Sequence, residues 1–402
     1  MPTSLNLDNV TQALKEHYKP LTVKNMVYKD NPLLALMPKY ERFGGENMPV
    51  PVQYGIANRR SADFATGQGL NTATELARFV LTRVKDYSFA SITGETIKAT
   101  EGAADAFLKY ATLEIDGAIQ SLTRSLAVSM YADGSGSLGQ VSVAGTTLTM
   151  LKPDQITNIE VGMELNAATA AAGAIKAGTT MVVQTVNRDA GTFTVDNAGA
   201  AATNDFIFQR GDAQNGGAAK KISGLEAWLP ASAPGGGDSF FSQNRSVDAT
   251  RLGGIRFDGS AQPIEEALIS AASRLAREGG SPSHCFMNFA NFSNLEKALG
   301  SKVVYDKVSS DDADIGFQSL TILGPKGPIQ IVADQNCTPD VAYMLQMDTW
   351  TLNSLGDAPH ILDLDGNRML REASADAYEV RVGFYGNIGC TAPGYNARVK
   401  LA

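Results

Sequence analysis

The chain has 402 residues, 44% of them hydrophobic and 19% charged, a globular composition long enough to bury a core without disulfide or metal staples. Its formal net charge of −8 excludes a protein whose main task is gripping nucleic-acid phosphates. Three widely spaced cysteines, Cys285, Cys337 and Cys390, match neither a disulfide framework nor a zinc knuckle, so no metal or cofactor is expected.

The start, MPTSLNLDNV, lacks the basic and apolar blocks of a signal peptide, and no run of about 18 apolar residues follows. A soluble chain in a reducing cytoplasm, with no membrane partner, is expected. Residues 1–45 hold one short helix, from Asn9 to about His17, and then an irregular stretch without a useful helical period. Ordering a chain costs ~1–2 kcal/mol per residue in backbone entropy, which an arm of this length cannot recover from itself. The arm is expected to lie on other parts of the protein or on other copies.

In ENMPVPVQYGIA the residues Met48, Val50, Val52, Tyr54 and Ile56 share one side, as a half-buried strand requires. Pro49 and Pro51 cannot donate to a ladder, which makes this an edge or free-standing strand. A polar turn region carrying Arg59, Arg60 and Phe64 leads to the β-rich return ARFVLTRVKDYSFASI, which contains Phe79. The two halves make a long hairpin. An isolated hairpin is marginal in water, so it either folds back on its own domain or borrows surface from neighbouring subunits. On the second reading Met48, Val50, Val52, Tyr54, Arg59, Arg60, Phe64 and Phe79 are the candidate subunit-interface residues, the arginines suiting carboxylates on a neighbour.

From Glu101 to Tyr131 apolar residues keep a three-or-four spacing, through Leu108, Ala111, Ile115, Ile119, Leu122, Leu126 and Met130, and predict a long helix. It stops at YADGSGSLG, where Gly134, Gly136 and Gly139 reproduce the G-x-G-x-x-G spacing of dinucleotide sites. Here the pattern follows a helix and precedes a strand, the reverse of what a pyrophosphate site needs, and it reads as a helix stop.

Residues 136–222 are rich in Ala, Gly, Thr and Val, with candidate strands QVSVAGTTLTML, VGMELNA, TTMVVQTV, GTFTVD and DFIFQR. They predict a small β-barrel or sandwich spliced into a loop, with glycine-rich ends. Beyond lie GLEAWLP, a Gly-rich loop and the helix PIEEALISAASRLAREGG, whose apolar face is Ile264, Leu268, Ala271 and Leu275. There follow a strand HCFMNF, a helix NFSNLEKAL, strands QSLTIL, PIQIVAD and VAYMLQ, and the β-rich ending AYEVRVGFYGNIGC with NARVKLA. Helices and strands mix without regular alternation, so the class is α+β.

Chemistry is hard to place. His284 adjoins Cys285, but consecutive strand residues point to opposite faces. In DAPHILDLDGN, holding His360, Asp363 and Asp365, the glycine and glutamate positions of a calcium loop are wrong. No G-x-S-x-G, H-E-x-x-H, paired C-x-x-C or phosphate loop occurs. No catalytic, cofactor-binding or metal residues are assigned, and the chain is expected not to be an enzyme.

The order of elements resembles the major capsid proteins of tailed double-stranded-DNA bacteriophages. The resemblance is carried by NPLLALMPKYERFGGENMPVPVQYG for arm into hairpin and by SLAVSMYADGSG into GLEAWLP across the helix end. PIEEALISAASRLAREGGSPSHCFMNFANFSNLEKALG and MLREASADAYEVRVGFYGNIGCTAPGYNARVKL carry it through the second half. It implies the tailed-phage major-capsid fold: an N-arm (1–45), an extended β-hairpin loop (46–98), the spine helix of a peripheral domain (99–135) and an all-β insertion domain (136–222). Residues 223–254 and 356–402 belong on this scheme to the peripheral domain and 255–355 to an axial domain. It further implies a homo-oligomer of hexamers and pentamers in an icosahedral shell around packaged double-stranded DNA, held by weak non-specific contact. The chain starts almost at the arm, so a separate scaffolding protein is expected, with a portal and room for a decoration protein. The place of action is the virion capsid, assembled in the bacterial host cytoplasm. Some relatives crosslink a loop lysine to an asparagine; Lys85 lies well down the return strand, and that chemistry is not expected here. An encapsulin-like nanocompartment shell is the alternative within the fold, and an α+β enzyme or a receptor-binding or decoration module the alternatives outside it.

Overall fold

The computed structural model describes residues 31–70, 73–95, 104–299, 319–363, 369–372 and 374–401. The helix expected at Asn9–His17, with most of the 1–45 arm, lies outside them. The described chain divides into two compact units: a smaller one of Lys85–Leu126 and Ser354–Tyr385, and a larger one of Asn31–Val84, Ala127–Asn353 and Gly386 onward.

The larger unit opens with helix α1 (Pro32–Leu36), which buries Leu33 and Leu34 and has proline at its first turn. Five residues are too few to display a period, so this stretch reads as irregular in the sequence. Strand β1 (Lys39–Tyr40) precedes β2 (Asn47–Gln53) and β3 (Leu76–Thr82), which pair antiparallel with Asn47 opposite Thr82 and Gln53 opposite Leu76. Between them the expected turn region contains helix α2 (Phe64–Gly69), started by Asp63, whose carboxylate accepts from the Thr66 N–H at 2.7 Å. The β-rich return segment breaks at Arg83, and β4 (Val84–Thr93) runs on into the smaller unit.

Helix α3 (Ala104–Tyr131) buries Ala118, Leu122, Leu126 and Met130 at three- and four-residue intervals. It is followed by Gly134 and Gly136 at φ +88° and +82°, conformations that suit glycine at a helix stop. Strands β5 (Ser137–Ala144), β6 (Thr147–Met150), β7 (Glu164–Ala168), β8 (Met181–Asn187), β9 (Thr192–Val195) and β10 (Asp205–Gln209) then close a barrel in the order β10-β5-β6-β9-β8-β7. QVSVAGTTLTML, expected as a single strand, is the β5–β6 hairpin, turned at Gly145 with φ +64°. Alternate residues such as Val141, Leu148, Leu165, Met181, Phe193 and Ile207 fill the interior. The chain enters and leaves the barrel side by side: the Gln214 N–H donates to Ser135 O at 3.0 Å, and a Cβ on Gly136 would stand 2.4 Å from Asp212 O.

After the barrel come helix α4 (Leu225–Trp228), β11 (Ile255–Asp258), helix α5 (Ile264–Arg277), β12 (His284–Met287) and helix α6 (Phe289–Leu299). Strands β13 (Ser319–Gly324), β14 (Gly327–Ala333), β15 (Val341–Leu345) and β16 (Trp350–Ser354) follow, then β17 (His360–Ile361), β18 (Leu370–Arg371), β19 (Ala377–Cys390) and β20 (Ala397–Lys400). A mixed sheet in the order β11-β20-β15-β12-β14-β13 packs its apolar face on α5 and α6, through Ala267, Leu268, Ala271 and Leu275 of α5 and Leu295 of α6. Glu265 and Glu266 in the first turn of α5 and Arg274 and Arg277 in its last complement the helix dipole. Pro263 stands at its N-cap, and Gly279 at φ +102° ends it, with the Gly280 N–H closing onto Leu275 O at 3.0 Å. In the larger unit β1 runs parallel to β16, Lys39 opposite Leu352. In the smaller unit β17 and β18 pair antiparallel with β19, which also pairs with β4. Mixed helix and sheet of this kind is the α+β class.

Candidate assembly surface

The β2–β3 hairpin is built in two parts with opposite surroundings. In its stem the alternation of each strand buries Val50 and Val52 from β2 and Ala77, Phe79 and Leu81 from β3. Phe79 meets Trp228 edge-on with ring centroids 4.9 Å apart, and the Trp228 indole N–H donates to Ile388 O at 3.2 Å. Gly389 is bare where the stem passes: an added Cβ would stand 2.9 Å from Leu81 Cδ1 and 3.6 Å from Val50 Cγ2. The stem therefore belongs to the chain's own core.

Both edges of the stem are closed to another strand. The Val80 N–H donates away from β2, to Phe241 O at 2.9 Å, so Val80 and the opposite Pro49 form a non-hydrogen-bonded pair. Two residues on, the Arg78 N–H reaches Gln243 Oε1 at 3.5 Å, opposite Pro51. Hence both prolines fall where β2 would otherwise point an N–H outward, and that edge lacks its central donors.

Beyond the stem a neck is tied at Glu75, whose carbonyl accepts from Tyr54 N and Gly55 N at 3.2 and 3.3 Å while its carboxylate accepts from the Tyr54 hydroxyl at 3.2 Å. Arg251 Nη1 donates to Tyr54 O at 2.5 Å. Past the neck the covering by described residues stops. Phe64 is 84% exposed, Ile56 80% and Leu76 70%, and Arg59 and Arg60 stand exposed beside them. Apolar and arginine side chains together are the composition of a protein interface.

Of the eight candidate residues, Val50, Val52 and Phe79 are thus buried within the chain, Met48 and Tyr54 are half-buried, and Arg59, Arg60 and Phe64 lie on the open tip. Ile56, placed by its alternation on the inner side, is out in solvent because β2 ends at Gln53. Leu76, opposite Gln53 at the last rung of the stem, is exposed because it alternates with the buried Ala77, Phe79 and Leu81 and shares the outer face of β3 with Arg78.

The residues weighed for chemistry stand apart from this surface. Burial pushes the Cys285 thiol up to about 12, and Cys390 likewise. His284 is lowered by burial, contacts Ser283 Oγ at 2.9 Å and stacks on Phe286. His360 Nδ1 meets Asp357 O at 2.7 Å, and Asp365 lies outside the described residues. Among the described residues no three His, Cys, Asp or Glu side chains gather as a metal site, and no helix is long and apolar enough to cross a membrane. A cleft of about 530 Å³ beside the barrel is lined by Asp133, Lys152 and Glu226 among others. The Glu226 carboxyl is raised above the ordinary glutamate range by burial, and further by Asp133.

Comparison with solved structures bears on this arrangement. The chain is similar to the capsid asymmetric unit of cyanophage A-1(L) with a TM-score of 0.56 at 11% identity, over 98% of this chain and 99% of that one. This chain carries the tailed-phage major-capsid fold. The capsid of a native GTA particle is similar with a TM-score of 0.50 at 9% identity, over 97% and 96% of the two chains. In sequence, residues 202–367 match the family model of the SU10 major capsid protein. A search of curated proteins finds no match. The capsid fold thus spans nearly the whole chain, and the family match covers the stretch from the last barrel strand, β10, to just past β17, taking in every strand of the mixed sheet but β20.

Proposed function

We propose that the chain is the major capsid protein of a tailed phage or related particle, a structural subunit rather than an enzyme. Copies assemble as hexamers and pentamers of an icosahedral shell enclosing double-stranded DNA in the virion, built in the host cytoplasm around a separate scaffolding protein and a portal. In this reading residues 46–98 serve as the extended loop, 99–135 as the spine helix, 223–254 and 356–402 as the peripheral domain, 255–355 as the axial domain and 136–222 as an insertion. The observation that carries it is the hairpin tip. Among the described residues the stem buries one face in the chain's own core, while Ile56, Phe64 and Leu76 stand in water beside two arginines, a surface that suits cover by another molecule. The capsid fold and the family match supply the kind of molecule, a further copy of the same chain, and the phage and GTA neighbours do not favour the encapsulin-like alternative.

Overexpression followed by negative-stain imaging tests the reading. Rings or closed shells are the expected product. A chain that stayed a single compact monomer at high concentration, with the tip protected from amide exchange, would overturn it.

A further inference from the structure

The segment after Gly235-Gly236-Gly237 carries a strained turn with an unusual lock. Phe240 and Gln243 exchange backbone hydrogen bonds at 3.0 and 2.9 Å, and the two residues between them, Phe241 and Ser242, sit at φ +46° and +63°. A two-residue turn with both central φ values positive is the geometry that Asn-Gly favours, and neither residue here is of that kind. The turn is held in place by Arg245. Its Nε and Nη2 donate to the two Asp238 oxygens, each at 2.9 Å, Nη1 donates to Ala227 O at 2.7 Å, and the guanidinium lies 4.2 Å over the Phe240 ring. Arg245 is buried, so this is a desolvated bidentate pair and not a surface one.

What the turn covers is the outer edge of β3. Phe241 O and Gln243 Oε1 take the Val80 and Arg78 donors that would otherwise face outward. The other edge of the hairpin has prolines at the matching places, so β3 is the edge of this two-stranded sheet with central N–H groups to offer an added strand.

We infer that residues 238–245 form a strap, strained at Phe241–Ser242 and locked by Asp238–Arg245, which occupies the strand-addition edge of β3; its release opens that edge to pairing with a second copy of the chain. The strap is an autoinhibitory contact within one polypeptide, and the inference does not rest on the chain building shells. An added strand would satisfy the same two donors without the left-handed residues, so the edge stays closed through the lock together with the packing of Phe240 and Phe241 on Trp228, at 5.0 and 5.7 Å between ring centroids.

The test uses the full chain, with amide exchange at Val80 followed alongside Val141 and Ile207 of the barrel, and sedimentation over a range of concentrations. Asp238→Asn removes the charge pair at constant size. It should speed exchange at Val80 by about ten-fold or more, leave the barrel amides alone, and shift the chain toward concentration-dependent oligomers. Ser242→Gly relieves strain at an exposed position and should slow Val80 instead. Val80 unchanged in Asp238→Asn, or accelerated equally with the barrel amides, overturns the strap, as does faster Val80 exchange without any gain in oligomer. Should Asp238→Asn fail to fold, Ser242→Gly decides: unchanged or faster exchange at Val80 refutes the inference.

Discussion

Trp228 stands edge-on to Phe79, with ring centroids 4.9 Å apart and planes inclined at 67°, and through this pair the hairpin stem is fixed to the segment that follows the barrel. Phe79 is fully buried, and it also meets Phe240 at 6.2 Å. Phe79→Ala is expected to cost about 3–5 kcal/mol, as loss of a buried aromatic ring does. Urea unfolding checks this. A loss under about 1 kcal/mol would place Phe79 outside the core.

The tip should behave in the opposite way. Reversing both Arg59 and Arg60 to glutamate touches exposed side chains, so stability of the isolated chain is expected to stay within about 0.5 kcal/mol of wild type while assembly fails. Thermal melts and particle counts from the same preparations separate the two effects. Intact shells from the doubly reversed chain would remove the arginines from the interface.

Pro49 and Pro51 keep donors off the free edge of β2. Replacing both with valine restores two outward N–H groups on a strand of favourable propensity. The variant is expected to fold and to associate through that edge, visible as light scattering that rises with concentration. Unaltered scattering would show that the prolines have no guarding role.

Glu226 gives a pH signature. Its folded carboxyl is raised above the unfolded value of about 4.3 by burial and by Asp133, so the folded state holds the proton more tightly. That contribution is complete below about pH 4.3 and is lost as pH rises through the folded value, where ionisation places a charge in the cleft. Glu226→Gln should therefore match wild type in acid and become progressively more stable than wild type toward neutral pH. Denaturation curves at a series of pH values read this directly; a difference that is constant with pH counts against it.

How much of this was legible in the sequence depends on the length of the signal. The α3 helix shows its period over many turns, and α5 presents Leu268, Ala271 and Leu275 on one face, so both were plain. Helix α1, with five residues, and β1, β17 and β18, with two each, carry no period, and their existence is decided by pairing partners far along the chain, such as Leu352 for Lys39. The tip followed the same logic. Alternation placed Val50, Val52 and Ile56 on one side of a strand, but only the first two are buried, because β2 ends at Gln53. Arg59 and Arg60 stand out in the sequence as arginines in the turn region of a hairpin, and the structure leaves both, with Phe64, exposed. The Phe241–Ser242 turn could not be found this way, since its residue types argue against the backbone they adopt.

The paired ends of the barrel have one last consequence. Since the Gln214 N–H bonds to Ser135 O across the root, and Lys221 meets Asp212 at 2.9 Å beside it, the chain leaves and re-enters the body at one place, and the barrel's further polar contacts with the body run through Lys152 to Pro339 and through Asp154 O to Gln335. Such a socket accepts any cartridge whose termini emerge as neighbours. Foreign cargo of that shape, an enzyme or an epitope, can be mounted there without lengthening a single connection in the rest of the molecule.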